Sequence, residues 1–396
     1  MAIFNSLGSN YNLKYVLKSL FSNSDGQDEK LKKFLEEKYN GKAILTYKGR
    51  EALTLALKIL DLPKESQVAI NGFTCFAVYK AIEEADLIPV CLDLKEKNTD
   101  LNFSVKTLEE KIKENKNIKV VIIQNTLGYP ADIEKITKLC QEKNITLIED
   151  LAHCVGTKYL PAEALAKEGE NGQEAGTVGD FTILSFSQDK VIDAISGGAL
   201  VIRNKKFQKS ENDFVFKQPK NQLKDKLYPY FTFKIRFLYN IGVGKIFHFI
   251  LKKLNLLSKP MQEDLYDFYS LPNWYCYLAL REFNHLSQQL KHRKEIAKMY
   301  AKNLNKNLLS KSITEKINIS SNLRFPISVE NRNSLINFLK KYKIFVSDIW
   351  YDDVAKDCPN AVGVSKKILN LPTHINVSKD DALKISERIN IWFESK

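Results

Sequence analysis

Short apolar runs alternate with helix-like segments along the first half of the chain. Apolar side chains recur at helical spacing in residues 51–60, whereas VVII at 120–123 is apolar at every position. A fully apolar run of this length is typical of a strand that is buried on both faces of a sheet. The pattern predicts strands at 67–70, 89–92, 120–123, 146–150, 181–186 and 198–202, and helices at 51–60, 74–85, 105–115 and 132–143.

Strands that alternate with helices predict an α/β fold with a mostly parallel central sheet and helices on both of its faces. The second half of the chain has a different pattern, with a long helix predicted at 279–305. It is followed by a small α+β unit made of LRFPISV, a helix at 332–342, KIFVSDIW and a final helix at 379–394.

These patterns predict three parts of the chain. Residues 1–225 form a large domain with an N-terminal segment, 226–275 form an insertion or connection, and 276–396 form the long helix with a smaller C-terminal domain. Within the first part, residues 160–178 are predicted to leave the sheet between two strands, and 205–225 to form a polar loop.

Composition limits the classes of function. The chain has 396 residues, of which 44% are hydrophobic, so it can build a sizeable core and is not a disordered protein. The formal net charge of +13 would suit nucleic acid or anionic lipid. No zinc-finger spacing or RNA-binding aromatic motif is present, so we predict no nucleic-acid partner and expect the basic residues on solvated faces.

Cysteine spacing and the apolar runs bear on the compartment. The six cysteines form no CxxC pair, so neither a metal site nor a disulfide framework is predicted. The first residues lack the basic start and apolar stretch of a secretory signal. No apolar run reaches about 18 residues, so no membrane-spanning helix is expected and a reducing cytoplasm fits best.

Asp150 and Lys190 are the strongest candidates for chemistry. Asp150 ends the strand TLIED, and Lys190 comes just after the strand FTILSF. Ligands of open parallel sheets bind beyond the carboxyl ends of the strands, so both side chains can reach one crevice. A lysine can hold the aldehyde of pyridoxal 5'-phosphate (PLP) as a Schiff base, while a carboxylate keeps the ring nitrogen of this cofactor protonated.

A phosphate site is predicted where the helix at 51–60 begins. Gly49 lets the backbone approach a ligand closely, and the amides of Arg50 and Glu51 belong to the first helical turn, which has no intrahelical acceptors for them. Ser185, at the end of its strand, can add a hydroxyl group. Each of these features alone is weak, and the prediction rests on their order and spacing together.

Several motifs resemble the DegT/DnrJ/EryC1/StrS family of PLP-dependent aminotransferases. The similarity covers about residues 30–205 well and 275–396 more loosely. It is carried by YKGREALTLAL, by NGFTCFAVYKAIEEADLIPVCLDL, by GYPADIEKI, by LIEDLAHCVGTKY and by GDFTILSFSQDKVIDAISGGALV. The resemblance implies the fold-type I aminotransferase architecture and PLP as the cofactor.

The resemblance also implies roles for the matched residues. Lys190 would bind the cofactor aldehyde and shuttle a proton, and Asp150 would pair with the pyridine nitrogen. Ser185 and the Gly49 turn would hold the phosphate. His153 occupies the position where the family has Gln or His near the ring, although a histidine bonded to neighbouring backbone is the alternative.

Some positions depart from the family pattern. Asn125 stands where many relatives carry His. Cys75 occupies the place of the aromatic ring that stacks on the cofactor, and Phe73 or Phe76 could substitute for that ring or belong to the core. Lys190 argues against the dehydratase branch of the family, where histidine replaces this lysine.

The function implied by the resemblance is transfer of an amino group, from glutamate, to a keto-sugar attached to a nucleotide. Such amino sugars enter surface polysaccharides, lipopolysaccharides or secondary metabolites. The family also implies a homodimer in which the partner donates an Asn or Arg to the phosphate, but the equivalent region diverges here. The alternatives are another PLP reaction (an aldolase, a lyase or a non-sugar transaminase) and a non-enzymatic regulator on the same scaffold.

Residues 227–257 form an aromatic, apolar and basic segment. One interpretation is a pair of helices lying on an anionic membrane, which would make the protein peripheral to the inner membrane face. The other is packing at a dimer interface or over the sheet. In the C-terminal part, Trp350, Tyr351 and His374 are either substrate-facing residues or ordinary loop packing.

Overall fold

A computed structural model describes residues 2–21, 25–95, 100–160, 172–207, 213–220, 222–259, 267–346 and 355–395. The strands are β1 (Ile3–Phe4), β2 (Lys42–Thr46), β3 (Gln67–Asn71), β4 (Ile88–Leu92), β5 (Ile118–Ile123), β6 (Thr146–Asp150), β7 (Lys158–Tyr159), β8 (Gln173–Glu174), β9 (Phe181–Ser185), β10 (Gly198–Ile202), β11 (Phe216–Lys217), β12 (Phe268–Tyr269), β13 (Arg324–Ser328), β14 (Ile344–Phe345) and β15 (Ile368–Pro372).

The α-helices are α1 (Leu13–Phe21), α2 (Gln27–Tyr39), α3 (Gly49–Ile59), α4 (Phe76–Glu83), α5 (Val105–Glu114), α6 (Ile133–Glu142), α7 (Gln222–Phe237), α8 (Val243–Lys253), α9 (Asn273–Asn303), α10 (Lys311–Glu315), α11 (Arg332–Lys341), α12 (Pro359–Lys367) and α13 (Lys379–Glu394). No helix within the described ranges combines the length and apolarity that crossing a bilayer requires.

The large sheet has the strand order β2-β10-β9-β6-β5-β3-β4. Its strands are parallel except β10, which is antiparallel to both β2 and β9. This arrangement confirms the predicted α/β class with a mostly parallel sheet. The carboxyl ends of β2, β9 and β6 therefore lie on one edge, and the start of β10 lies between the first two of them.

Both faces of the sheet are buried, as the fully apolar runs predict. In β5, Val120 and Ile122 belong to a core shared with α3 and α4, whereas Val121 and Ile123 belong to a core shared with α2 and α9. Alternate residues of a strand point to opposite faces, so a strand between two helical layers must be apolar throughout.

The C-terminal part has a core of its own that includes β13, β15 and α13. β13 pairs antiparallel with β15, and α13 begins at a capping box between Ser378 and Asp381. The start of the chain also belongs to this part, because Ile3 and Phe4 of β1 pair in parallel with Ile344 and Phe345 of β14.

The elements predicted in the first half occur within two residues of their expected ends, and β13, α11 and α13 do so in the second half. The prediction of a loop over 205–225 is wrong in part, because α7 begins at Gln222 and a short strand covers Phe216–Lys217. The long helix begins at Asn273 rather than at 279. Within KIFVSDIW, β14 covers Ile344–Phe345, and 347–350 lie outside the described residues.

The excursion predicted at 160–178 lies partly outside the described residues, because 161–171 are not among them. The residues on either side meet in an antiparallel pair between β7 and β8. The chain therefore leaves the sheet after β6 and returns to it at β9, as predicted.

Candidate active site

Asp150 and Ser185 lie at the same edge of the sheet, at the carboxyl ends of two neighbouring parallel strands. Asp150 is the last residue of β6 and is in register with Ile183 of β9, two residues before Ser185. The Asp150 carboxylate is buried and accepts a hydrogen bond from the Ala152 amide at 2.9 Å. Burial raises the pKa of Asp150, an effect partly offset by this hydrogen bond and by the charge of Lys190.

Lys190 follows β9 in a tight turn at this edge. Its amide donates to the Ser187 carbonyl at 3.3 Å, and its carbonyl accepts from the Asn10 side chain at 3.4 Å. Burial lowers the pKa of the Lys190 amine, while Cys75 and Asp150 act in the opposite direction. The structure thus brings Lys190 and Asp150 into one electrostatic environment, as the sequence predicts.

Gly49, Ser185 and Gly198 form a close-packed cradle at the N-terminus of α3. A Cβ atom on Gly49 would lie 2.7 Å from the Ser185 Cβ, and one on Gly198 would lie 2.6 Å from the Gly49 Cα. Only glycine lets the backbone approach the serine this closely. The first turn of α3 brings the positive end of the helix dipole to this point, which favours an anion.

Arg50 and Glu51 continue the first turn of α3. Arg50 is partly exposed, whereas Glu51 is buried and its carboxylate accepts hydrogen bonds from the amides of Tyr47 and Tyr269, both at 3.2 Å. Burial raises the pKa of Glu51 to about 8, despite the opposing effect of these hydrogen bonds and of Lys48. The Glu51 side chain therefore fastens the strand β12 to the start of α3.

His153 is fully enclosed near this edge. Its Nδ1 accepts a hydrogen bond from the Leu127 amide at 3.3 Å, and its carbonyl accepts from the Ser321 hydroxyl at 2.8 Å. Burial, followed by the positive charges of Lys190 and Arg324, holds the pKa of His153 well below its usual value. The imidazole is therefore neutral at physiological pH.

Asn125 is buried in a network of protein groups. Its amide nitrogen donates to the Tyr159 hydroxyl at 2.7 Å and to the Cys154 sulfur at 3.6 Å, and its oxygen accepts from the Ala131 amide at 2.9 Å. The Tyr159 hydroxyl in turn donates to the Glu149 carboxylate at 2.9 Å. These contacts hold the Asn125 side chain in place within the protein. A direct contact between Asn125 and the cofactor stays a prediction.

The residues near the expected stacking position differ in exposure. Cys75 is the partly exposed N-cap of α4 and is close enough to Lys190 to affect the pKa of its amine. Phe76 is 53% exposed, with the Lys80 amine 5.8 Å from its ring centre, whereas Phe73 is buried in the C-terminal core. Of the two phenylalanines, only Phe76 is available to a ligand.

Arg324 is a buried charge close to the site that the sequence analysis missed. Its guanidinium donates to the carbonyls of Asn5 at 2.7 Å and Leu323 at 3.0 Å, and lies 3.8 Å from the Asp189 carboxylate. Its charge contributes to the lowered pKa of Lys190. The sequence does contain an indication of this residue, an arginine inside the apolar run LRFPIS. Arginine is seldom buried in a strand unless its charge has partners.

The N-terminal segment was also missed as part of this site. The Asp193 carboxylate accepts hydrogen bonds from the Tyr11 hydroxyl at 2.7 Å, from the Asn10 side chain at 2.9 Å and from the Asp189 amide at 2.9 Å. Burial raises the pKa of Asp193 to about 6. These bonds fix the turn that carries Lys190 against the beginning of the chain.

His374 contacts the same N-terminal segment. Its Nε2 lies 2.8 Å from the Phe4 carbonyl, and the side chain is buried. This position agrees with the packing interpretation of the residue. Trp350 and Tyr351 lie outside the described residues.

Comparison with known proteins identifies the family. The model of the DegT/DnrJ/EryC1/StrS aminotransferase family matches residues 14–241 and 255–390. The chain belongs to this family. The resemblance inferred from the motifs is therefore confirmed, and the protein is a PLP-dependent aminotransferase.

Relatives of this aminotransferase act on sugar nucleotides according to their names. GDP-perosamine synthase of Escherichia coli O157:H7 is 25% identical over 377 residues, which cover 92% of this chain and 89% of the relative. GDP-perosamine synthase of Vibrio cholerae is 31% identical over 153 residues, and there the match spans only 38% of the relative. The UDP-4-amino-4,6-dideoxy-N-acetyl-beta-L-altrosamine transaminase of Campylobacter jejuni serotype O:23/36 is 27% identical over 65% of this chain and 56% of the relative.

Solved structures show the same fold. PseC of Helicobacter pylori superposes with a TM-score of 0.68 at 17% identity and covers 100% of both chains. Spr1654 of Streptococcus pneumoniae, solved in its PLP form, has a TM-score of 0.71 at 18% identity and covers 100% of this chain and 99% of its own. The fold-type I aminotransferase architecture is therefore confirmed.

The residues of the site fit PLP. The cofactor needs an anion cradle for its phosphate, a carboxylate for its ring nitrogen and an amine for its aldehyde. Gly49, Ser185 and Gly198 pack closely at the N-terminus of α3, where first-turn amides can meet an anion, Asp150 is a buried carboxylate, and Lys190 is an amine whose pKa is lowered. All three requirements meet at one edge of the sheet.

Proposed function

We propose that this aminotransferase moves an amino group from glutamate to a keto-sugar attached to a nucleotide, in a pathway of amino-sugar synthesis for surface polysaccharide. The observation that carries the proposal is the similarity to GDP-perosamine synthase, which extends over 92% of the chain. An intact pair of Asp150 and Lys190 supports it, because both halves of a transamination need these two groups.

PLP, when bound, supplies an electron sink that lets a proton leave the carbon attached to the substrate nitrogen. Lys190 is proposed to bind the cofactor aldehyde and then to move that proton with its ε-amine. Its lowered pKa supports both tasks, since a neutral amine is the nucleophile and the base.

The other residues are proposed to hold and polarise the cofactor. Asp150 would hold the proton on the ring nitrogen, because a positive charge beside a buried carboxylate favours its ionised form. Ser185 and the first turn of α3, including the amides of Arg50 and Glu51, would bind the phosphate. His153 is neutral and would contact the ring without adding charge to it.

We also propose that the enzyme is a cytoplasmic homodimer, as the family resemblance implies. Cys75 and Phe76 would border the cofactor on the side where many relatives place an aromatic ring. A contact of residues 227–257 with a membrane is a separate proposal and does not depend on the reaction.

The proposed reaction can be tested in two half-reactions. Glutamate alone should convert the PLP of the purified enzyme to its amino form, with loss of the visible absorbance and release of 2-oxoglutarate. In the reverse direction, GDP-perosamine with 2-oxoglutarate should yield glutamate, which is measured by a coupled assay. A UDP-linked amino sugar with 2-oxoglutarate is the matched comparison for the nucleotide.

The outcomes separate the candidate functions. Turnover of one of the two nucleotide sugars supports the proposal and identifies the nucleotide. A glutamate half-reaction without turnover of either sugar would overturn the nucleotide-sugar part. An absorbance unchanged by glutamate, with carbon–carbon cleavage of an added substrate, would indicate the alternative of a lyase or an aldolase.

A further inference from the structure

Helix α8 presents apolar side chains to the surface. Ile246, Phe249 and Ile250 follow one another at helical spacing, and the first two are 64% and 68% exposed. Val243, one turn earlier, is also exposed. A helix in a soluble protein turns such a stripe towards a core, so an exposed stripe indicates something that covers it.

A second exposed stripe lies on helix α1. Leu13, Leu17 and Phe21 recur every four residues, and Phe21 is 79% exposed. α7 packs against both α1 and α8, so the three helices form one layer. Phe237, the last residue of α7, and Ile241, in the turn before α8, add further exposed apolar area to this layer. We call the exposed apolar residues of α1, α7 and α8, with the turn between α7 and α8, the docking face.

The layer is fixed to the enzyme by buried polar contacts. The Asp225 carboxylate of α7 accepts from the hydroxyls of Tyr47 at 2.6 Å and Tyr275 at 2.7 Å. Beyond α8, the Ser258 hydroxyl accepts from the Gln188 side chain at 3.0 Å, two residues from Lys190. The docking face is therefore held in a defined position relative to the active site.

Charge identifies the kind of partner that suits this face. Neither residues 2–21 nor residues 226–259 contain an aspartate or a glutamate. The same stretches carry exposed lysines, namely Lys14, Lys18, Lys234, Lys245, Lys252, Lys253 and Lys259. A stretch that is apolar and basic without any acidic residue is complementary to a surface that is apolar beneath and negatively charged above.

We infer that the docking face binds the surface of an anionic lipid bilayer, with the apolar residues of α1 and α8 at the level of the acyl chains and the lysines at the headgroups. A second copy of the chain suits the face less well, because a symmetric contact would bring the lysines of both copies together without acidic partners. The protein would lie on the membrane, since the described helices are too short or too polar to cross it.

The test is flotation of the purified, PLP-loaded protein with lipid vesicles. Vesicles of phosphatidylcholine with about one third phosphatidylglycerol should carry the protein upward, and vesicles of phosphatidylcholine alone should not. Raising the salt from 0.1 M to 0.5 M should reduce the bound fraction, because the electrostatic part of the attraction is screened.

Two sets of substitutions test the two parts of the face. The bound fraction at limiting lipid should fall about tenfold or more in the apolar set, Ile246→Glu, Phe249→Glu and Ile250→Glu, because each charge must stay in water. It should fall by a similar factor in the basic set, Lys245→Gln, Lys252→Gln and Lys253→Gln.

Matched controls make the same chemical changes elsewhere on the surface. Ile88→Glu, Leu383→Glu and Ile391→Glu alter exposed apolar residues, and Lys291→Gln, Lys298→Gln and Lys302→Gln alter exposed lysines of α9. Both controls should float like the unmodified protein, and all variants should keep the absorbance of bound PLP as proof of folding.

Other results would overturn the inference. If the unmodified protein does not float with anionic vesicles, and the apolar set changes its mass from dimer to monomer in light scattering, the face is an interface between copies. Equal loss of flotation in the test and control sets would mean nonspecific attraction of a basic protein. Neither result bears on the aminotransferase reaction, which the half-reaction assays test separately.

Discussion

The active-site edge of the sheet and the docking face break the usual division between core and surface in opposite ways. At the edge, ionisable residues such as Asp150 and His153 are buried, whereas at the docking face large apolar residues such as Phe21 and Phe249 are exposed. Burial of the ionisable groups costs folding free energy, and exposure of the large apolar groups gives up the stability that their burial would add. We propose that each departure marks a binding surface, for a charged cofactor at the edge and for an apolar and anionic surface at the face.

The largest effect is expected when the Lys190 amine is removed from the edge of the sheet. Lys190→Ala should abolish the visible absorbance that arises when lysine holds PLP, and should lower kcat by about 10³-fold or more, because both nucleophile and base are lost. Absorbance spectra and steady-state kinetics measure the two effects. The exposed Lys205→Ala is the control, and an unchanged spectrum in Lys190→Ala would remove this residue from its role.

A smaller effect on cofactor binding is expected where Gly198 packs directly against the backbone of Gly49. Gly198→Ala places a Cβ 2.6 Å from the Gly49 backbone, so the start of α3 must shift. Overpacking of this kind costs about 1–3 kcal/mol, which corresponds to a Kd for PLP that is about 5- to 150-fold higher. Fluorescence titration of the cofactor-free protein with PLP measures this.

Gly26→Ala is the control for the cradle. Gly26 has a φ of 66° but no atom within 4 Å of the added Cβ, so the substitution strains the backbone without filling a site. It should lower stability by about 1 kcal/mol and leave the Kd for PLP unchanged. Equal Kd values for the unmodified protein and Gly198→Ala would show that the cradle does not hold the phosphate.

The buried Glu51 carboxyl should make the stability of the protein depend on pH. Its pKa is about 8 in the folded protein, against an ordinary value of 4.5, so the folded state binds the extra proton in this range. The stability that this proton gives is complete below pH 4.5 and is lost as the pH rises through 8. Between pH 5 and 9, the Tm of the unmodified protein should therefore fall by a few degrees relative to Glu51→Gln.

Thermal unfolding at several pH values measures this difference. Glu142→Gln is the control, because it removes one carboxylate from an exposed position. If Glu51→Gln behaves like Glu142→Gln, the carboxyl is ionised without cost in the folded state.

The smallest effect is expected at the docking face. Ile246→Ser with Phe249→Ser should change the free energy of unfolding by less than about 0.5 kcal/mol per site, because both side chains already contact water. The buried Ile183→Ser should cost about 3 kcal/mol or more. Urea unfolding compares the variants, and a large loss in the double variant would show that these residues pack against the protein.

The strands of the large sheet could be predicted from local sequence, whereas the starts of the helices α7 and α9 could not. Runs such as VVII and TLIED are short, and their length and apolar content are typical of buried strands, so their ends could be predicted to within two residues. The start of α9 was placed too late because NWYCYL, at 273–278, has no polar face by which to recognise a helix. The polar start of α7 was taken for a loop for a similar reason, since QLKDK shows no apolar stripe.

The candidate site was predictable only where motifs carry it. Gly49, Asp150, Ser185 and Lys190 stand in motifs, and the structure brings them to one edge. Arg324 and Asn10 contact the same region from segments that are distant in sequence. A local sequence pattern does not predict which distant turn such a side chain will contact.

The pairing of β1 with β14 has a consequence for the order of folding. Ile3 and Phe4 are synthesised before the strands of the large sheet, whereas their partners Ile344 and Phe345 are synthesised after them. The turn that carries Lys190 is held by the same leading segment through Asn10. A growing polypeptide on the ribosome can therefore assemble its large sheet early, but the turn that carries Lys190 acquires its final setting only after β14 has been synthesised.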